Sequence, residues 1–233
     1  DMQHYHGTFS IGLLSSKINV EGPIIKNKTS FNFSARRSYL DLISKPFMPE
    51  DEMYSYYFYD INAKINHKFS DRSRIFLTFY TGKDRLSTDY SDSGNLKDGT
   101  SMGWRNGIVA ARWNYIFNNR LFSNTTVSFN HYQNQINTYT NDTKGFDQNI
   151  QNSYAANYRS GIKDWSYQID FDYNPTPRHH IKFGTGYLFH RFQPEVITTR
   201  IHDRENGITE RDTIYNSLAN SDIRGHEITA YAE

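Results

Sequence analysis

The sequence predicts an all-β fold, a partial antiparallel transmembrane β-barrel, and three observations carry that expectation. The chain is rich in aromatics yet polar on average: Phe, Trp and Tyr make up 16% of it, with 18 Tyr and 16 Phe, while its mean hydropathy is −0.78. Apolar and polar residues alternate over stretches about twice the roughly 5–6 residues of a soluble strand. The connections alternate too, short turns at one end and long polar loops at the other. A barrel wall with lipid on one side and a wet lumen on the other has all three properties, because every second residue faces water. A helical membrane protein would need runs of about 18 apolar residues, and the sequence has none.

The alternation is clearest at 165–174. Trp165, Tyr167, Ile169, Phe171 and Tyr173 share one face, and Ser166, Gln168, Asp170, Asp172 and Asn174 the other, since neighbouring side chains of a strand point to opposite sides. Ile181, Phe183, Thr185, Tyr187 and Phe189 alternate with Lys182, Gly184, Gly186, Leu188 and His190. Val109, Ala111, Trp113, Tyr115 and Phe117 alternate with Ala110, Arg112, Asn114 and Ile116. Tyr57, Tyr59, Ile61, Ala63 and Ile65 alternate with Asp60, Asn62, Lys64 and Asn66, and Phe31, Phe33 and Ala35 with Asn32, Ser34 and Arg36. In all five segments the apolar face lacks charge, whereas a cation at mid-bilayer there would cost roughly 2–4 kcal/mol. Phe31, Phe33, Tyr57, Tyr59, Ile61, Val109, Trp113, Tyr115, Phe117, Trp165, Tyr167, Ile169, Phe171, Tyr173, Ile181, Phe183, Tyr187 and Phe189 are therefore assigned to the membrane.

Short turns are expected at Ile24–Lys28, Ser70–Ser73, Asn118–Arg120 and Pro175–His179, all rich in Asn, Asp, Ser or Pro. Long loops are expected at Leu42–Met53, Asp84–Met102, Asn141–Ser153 and Ile201–Asp222. This layout implies nine strands: 7–21, 28–39, 54–68, 73–89, 104–117, 121–138, 154–174, 179–199 and 223–233. The alternative, a soluble sandwich, would bury Val, Ile and Leu in shorter strands. Both ends read as breaks within a longer chain, for no signal peptide opens it and the alternation is still running at Glu233. Residues 1–233 are thus expected to form a single domain, incomplete at both ends.

Four stretches resemble TonB-dependent outer-membrane receptors of the Bacteroidetes. Gly7-Thr8-Phe9-Ser10-Ile11 through Ile24 looks like their first barrel strand, and Ser30-Phe31-Asn32-Phe33-Ser34-Ala35-Arg36-Arg37-Ser38-Tyr39-Leu40-Asp41 like their second. Ile169-Asp170-Phe171-Asp172-Tyr173 with the following proline turn and His180-Ile181-Lys182-Phe183-Gly184 fits the same family, as does Glu227-Ile228-Thr229-Ala230-Tyr231-Ala232-Glu233. The resemblance implies the early strands of a 22-stranded barrel, a plug domain and a TonB box outside this sequence, and energy-coupled uptake of a siderophore, haem, cobalamin, oligosaccharide or peptide. It implies outer-membrane lipid and the TonB complex as partners, a surface lipoprotein as a possible one, and the outer membrane of a Gram-negative bacterium as the location. The alternative is a barrel subunit of a surface or secretion assembly that transports nothing itself.

The remaining chemistry is sparse. Lys plus Arg number 26 against 25 Asp plus Glu, which points to no nucleic-acid partner. Without cysteine, and with nine histidines that come together only in the pairs His4/His6 and His179/His180, no metal site or cofactor is expected. A phosphate-binding loop and a dinucleotide fingerprint are missing, and no enzymatic activity is expected. The candidate ligand residues are Arg36 and Arg112 on the lumenal face and Tyr90 and Phe146 in the loops. Arg36 is also expected to pair with a carboxylate of the plug, and Arg37 to sit at the headgroup rim.

Overall fold

The computed structural model describes residues 1–49, 51–92, 96–144, 150–216 and 222–233. Among them eleven strands form one antiparallel sheet: β1 (His6–Ile11), β2 (Ser15–Ile25), β3 (Thr29–Ser38), β4 (Glu52–Ser70), β5 (Ser73–Asp92), β6 (Leu96–Asn118), β7 (Leu121–Lys144), β8 (Ile150–Thr176), β9 (His179–Glu205), β10 (Ile208–Asn216) and β11 (Ile223–Ala232). Strands β1 to β10 pair in chain order, and β11 also pairs with β9. Phe183–Phe192 of β9 faces β11, while Thr198–Glu205 faces β10. The last two strands thus share one position beside β9. Between β3 and β4 lie a helical turn, α1 (Leu40–Ile43), and a 3-10 turn, Lys45–Phe47. No helix among the described residues is long and apolar enough to cross a membrane.

The register has a regular stagger. Thr29 of β3 pairs with His67, three residues before the next hairpin closes at Ser70. Ser73 of β5 pairs with Tyr115, three before Asn118, and Leu121 of β7 pairs with Tyr173, three before Thr176. A register shift beside each turn absorbs one of these residues, leaving two per pair of strands. One residue of about 3.4 Å per strand spacing of about 4.8 Å tilts the strands by about 35°, within the roughly 35–45° that closed barrels adopt. The sheet is built as a barrel wall.

The same register sorts the side chains. Val20, Phe33, Ala63, Phe79, Val109, Phe129, Trp165 and Phe189 form one unbroken cross-strand row from β2 to β9. The eighteen residues assigned to the membrane all fall on the face of this row. Phe117, beside a register shift, joins them through its rings' contacts with Tyr115 at 4.9 Å and Phe171 at 6.4 Å. On β8 the belt spans Trp165 to Tyr173 and on β9 Ile181 to Phe189, roughly 22 Å of height at that tilt, close to the ~25 Å apolar band of outer-membrane barrels. Aromatic contacts mark both of its borders. Trp113, Tyr115, Phe117, Phe171 and Phe183 run along the turn side, with Phe171 and Phe183 stacked at 5.0 Å, and Phe129 meets Trp165 at 4.5 Å on the other. Among the described residues no large apolar side chain is buried, and Trp165 is 54% exposed. A soluble sandwich would hide this face in a core; here nothing in the sheet covers it.

Several expected boundaries change. Residues 7–21 are not one strand but parts of β1 and β2, joined at Gly12-Leu13-Leu14, where the Gly12 N–H donates to the Ser15 carbonyl at 2.9 Å. No Asn, Asp or Pro marks that turn, and Phe9 and Ile18 are cross-strand partners, so the apolar pattern runs straight through it. Three of the four long loops are largely strand. Among the described residues, Asp84–Met102 belongs mostly to β5 and β6, Asn141–Ser153 mostly to β7 and β8, and the part of Ile201–Asp222 up to Asn216 to the end of β9, a tight turn and β10. Both faces of these outer segments meet polar surroundings, so the period-2 contrast that reveals the belt fades. The strand count rises accordingly from nine to eleven among the described residues. Only Leu42–Met53 is mainly irregular.

The turn between β9 and β10 is Asn206-Gly207, with φ of 49° and 82°, the left-handed pair that two-residue hairpins favour. A branched residue is strained at the second position. Gly207→Val is expected to cost about 1–2 kcal/mol locally and to speed amide exchange in β10 and Thr198–Glu205 while β8 within the belt stays protected. Unchanged exchange in the arm would show that the turn is not what holds it.

Candidate functional site

The polar face is a continuous hydrogen-bonded surface. Arg36 of β3 meets Asp60 of β4 at 2.7 Å, and its guanidinium lies 4.9 Å from the centre of the Phe58 ring. Asn32 donates to Glu21 at 3.1 Å, and the Ser128 and Ser166 hydroxyls pair at 2.9 Å. Asp164 accepts from His190 Nδ1 at 2.7 Å and from Asn130 at 3.4 Å. Asp172 accepts from His180 at 2.8 Å. Asn114 donates to Asn124. At Gly184, opposite Tyr231 in the register, the Tyr231 ring covers the missing side chain, and its hydroxyl donates to Asp170 at 2.8 Å. Among the described residues the shielded Oδ1 atoms of Asn66, Asn106, Asn130 and Asn134 lack a protein partner on this face. Such a surface is completed by water or by another polar surface.

Arg36 and Arg112 both lie on this face, as their alternation predicts, but three strands and three cross-strand rows apart: Arg36 shares a row with Asp60 and Asn106, Arg112 with Phe76 and Thr126. They do not converge. The partner of Arg36 is Asp60 within the wall itself. Tyr90 is not in a loop: it sits near the outer end of β5, on the polar face, opposite Glu52 and Asp98. Asp92, Asp51, Glu52 and Asp98 hold its phenol above the usual range. Phe146 lies outside the described residues. Among the described residues these candidates form no common pocket.

One pattern was passed over in the sequence. Gly99-Thr100-Ser101-Met102-Gly103 has the spacing of a hydrolase nucleophile elbow, a motif that needs a sharp strand-to-helix turn. Here it runs inside β6, with Ser101 opposite Ser87 and Asn137, and the Ser101 hydroxyl accepts from Asn137 at 3.2 Å. Among the described residues no helix follows it and no histidine is paired with Ser101, so the strand-to-helix turn that the motif needs is missing there.

Beyond the belt the wall continues outward. From Trp165 to Ile150 β8 extends roughly 50 Å more, and charged pairs join it to its neighbours. Tyr139 donates to Asp89 at 2.9 Å, which holds the phenol above its usual range. On the β9–β10 arm Arg200 forks onto both oxygens of Asp212, at 3.1 and 3.0 Å, and holds that carboxyl below the usual carboxylate range.

Set against known proteins, the chain matches no family model and no curated protein. Among solved structures it is similar to the ferric yersiniabactin uptake receptor FyuA from Yersinia pestis, at 11% identity and a TM-score of 0.48, covering 93% of this chain and 34% of that one. It is similar to the siderophore receptor PirA from Acinetobacter baumannii, at 8% identity and a TM-score of 0.23, over 97% of this chain and 57% of that one. A bacterial polysaccharide outer membrane secretin shares 9% identity at a TM-score of 0.20, over 87% of this chain and 88% of that one. The chain spans about a third of the length of FyuA. With likeness this distant, the functional reading rests on the two faces of the sheet.

The Arg200–Asp212 pair sets a pH dependence. Because the folded pKa of Asp212 is depressed, the pair's contribution is complete above the unfolded value, near 3.9 for Asp, and is lost as pH falls through the lower folded value. Acidification below about pH 4 is therefore expected to raise amide exchange in β10, after correction for intrinsic rates, and Asp212→Asn to do so already at pH 7. Equal protection in the variant and the wild type at pH 7 would assign the arm to its backbone ladder alone.

Proposed function

We propose that this sheet is part of the wall of an outer-membrane β-barrel in a Gram-negative bacterium, a TonB-dependent receptor of the type found in Bacteroidetes that takes up a nutrient. One observation carries the reading: a staggered, tilted sheet with a belt nine residues deep on one face, a hydrogen-bonded polar surface on the other, and no buried apolar core among the described residues. Lipid satisfies the first face and a wet lumen the second. Among the described residues neither β1 nor the outer edges of β10 and β11 have a further strand beside them in the sheet, and an unpaired edge is untenable in hydrocarbon. Additional strands therefore close the wall. The asparagine amides of the polar face suit a plug packed against the lumen, and the outward extensions suit a vestibule for cargo.

The role is transport rather than catalysis. TonB engagement belongs to a region outside these residues, and a surface lipoprotein capping the extensions is a further partner in this reading. The polar, unconverged lumenal face contributes side chains to a pathway rather than a complete binding site, so the cargo chemistry resides in the whole receptor. Similarity to the two siderophore receptors agrees with this reading without carrying it.

Phe171→Arg or Ile169→Arg, each a charge in the middle of the belt costing roughly 2–4 kcal/mol, is expected to abolish insertion of the full-length protein. Asp170→Asn retains an acceptor for Tyr231 and should insert normally. Heat-modifiable migration of membrane fractions reads the difference, and normal levels of Phe171→Arg would reverse the assignment of faces. In cells that depend on this protein for a nutrient, removal of the TonB complex should stop uptake while barrel levels hold. Persisting uptake would leave the barrel but reject energy coupling.

A further inference from the structure

Just beyond the apolar belt, the outward face turns cationic within one row. On β8 and β9, Trp165 and Phe189 are followed two residues outward by Lys163 and Arg191, which are direct cross-strand partners. Arg191 is also opposite Arg224 of β11. On β5 and β6 the change comes one row higher, at Lys83 opposite Arg105, with Arg85 two residues further on and Arg37 of β3 in the same row as Lys83 through Tyr59. This single step upward matches the strand tilt, so the cations follow the belt's rim.

Three directly opposed pairs of like charge, Lys83–Arg105, Lys163–Arg191 and Arg191–Arg224, lie in this band. Left to themselves such pairs weaken a sheet. Two cations have carboxylate partners: Arg37 with Asp41 at 2.8 Å and Arg191 with Asp222. Lys83, Arg85, Arg105 and Lys163 have none among the described residues. Arg37 and Lys83 both approach the Tyr57 ring, at 5.5 and 6.0 Å. Between Lys83, Arg85 and Arg105, Gly103 leaves a notch of about 80 Å³, lined also by Ser101, Gln133 and Gln135 and by no carboxylate. A methyl group at Gly103 would approach the Asp84 carbonyl to 3.0 Å. The notch is therefore edged by cations and uncharged side chains, with Met102, Trp104 and Asn137 completing its lining.

We propose that this rim binds the phosphate groups of an anionic glycolipid in the leaflet at that height, with the Lys83–Arg85–Arg105 notch as its principal site. The inference rests on the barrel reading, which turns this face to lipid. A single free ion would need convergent groups, whereas these cations run along the rim from β3 to β11, a path of roughly 34 Å over seven strand spacings. That length suits a row of headgroups whose acyl chains lie against the belt below. Phosphate between the opposed cations replaces like-charge repulsion with charge-assisted hydrogen bonds.

The test reconstitutes the full-length protein into phosphatidylcholine vesicles containing either a bis-phosphorylated glucosamine lipid or its dephosphorylated counterpart. Lipid retained after detergent extraction is counted by native mass spectrometry. The wild type is expected to retain the phosphorylated lipid about tenfold or more over the dephosphorylated one. Lys83→Gln/Arg85→Gln/Arg105→Gln should lose that preference, while Lys26→Gln/Lys28→Gln/Arg72→Gln, the same charge change at the turn end, should keep it. Equal loss in both variants, or full displacement of the lipid by equimolar inorganic phosphate, would reduce the rim to net charge or an ion site and overturn the proposal. Wild-type protein that inserts, by heat-modifiable migration, but shows no preference sinks this inference alone. Failure to insert into any vesicle removes the barrel reading and the lipid rim with it.

Discussion

Within hydrocarbon, the backbone groups of a strand can bond only to neighbouring strands, and this constraint governs where the sheet is regular and where it is not. Six register shifts occur among the described pairings. Four lie beside the turns, at Pro23/Ile25, Lys68/Ser70, Ile116/Asn118 and Tyr173/Thr176, and two lie outward of the belt, at Arg159/Gly161 and Thr209/Arg211. Across the middle of the belt the ladder is unbroken from β3 to β9. A one-residue slip there would turn every apolar side chain into the lumen and every lumenal charge into lipid. Backbone pairing and face chemistry therefore enforce the same register, and irregularity is confined to places where water can satisfy the backbone.

The two faces are held by different means. The belt gains its driving force from the bilayer, not from a packed interior, so its aromatic contacts, such as Phe171 on Phe183 and Phe129 on Trp165, add roughly 0.2–1 kcal/mol per cross-strand pair rather than forming a core. The polar face is held by neighbouring-strand bonds between short side chains: Asn32 to Glu21, Ser128 with Ser166, Asn130 to Asp164. Asn, Ser and Asp serve here because their reach matches a strand spacing of about 4.8 Å. Frequent Tyr, at 18 residues, has the same logic, since one ring can cover a glycine while its hydroxyl reaches the next strand, as Tyr231 does over Gly184 to Asp170.

This division explains what could be read from the residues alone. Where one face meets lipid and the other water, the contrast between Trp165 and Ser166 or Phe171 and Asp172 is large, and both strand and face were legible. Outside the belt both faces are polar, so Asp84–Met102 and Ile201–Asp222 looked like loops although their described residues are largely strand. The Asn206-Gly207 turn was the available signal in the second and was overlooked. Arg36 and Arg112 could be given the correct face from alternation, but their separation depends on pairing between β3 and β6, which no local pattern encodes. The cationic rim was hidden for the same reason: only the Arg37 end of it was visible, while Lys83, Arg105, Lys163 and Arg191 become neighbours only through the register.

The outer half of the wall is where this protein is free to differ from others built on the same plan. A bilayer crossing occupies roughly 10 residues of a strand, whereas β8 and β9 have 27 each. Above the cationic rim the remainder is under no constraint from hydrocarbon, and its exposed pairs, such as Arg200 with Asp212, are individually worth little. Regular ladders that long nonetheless hold their outer ends at a fixed height and direction above the membrane. Loops of the same length would surrender that rigidity. The extension of β5 to β10 thus presents Tyr90, Tyr139 and the β9–β10 arm on a stiff palisade, so that its tips can change without disturbing the register that keeps the belt in lipid.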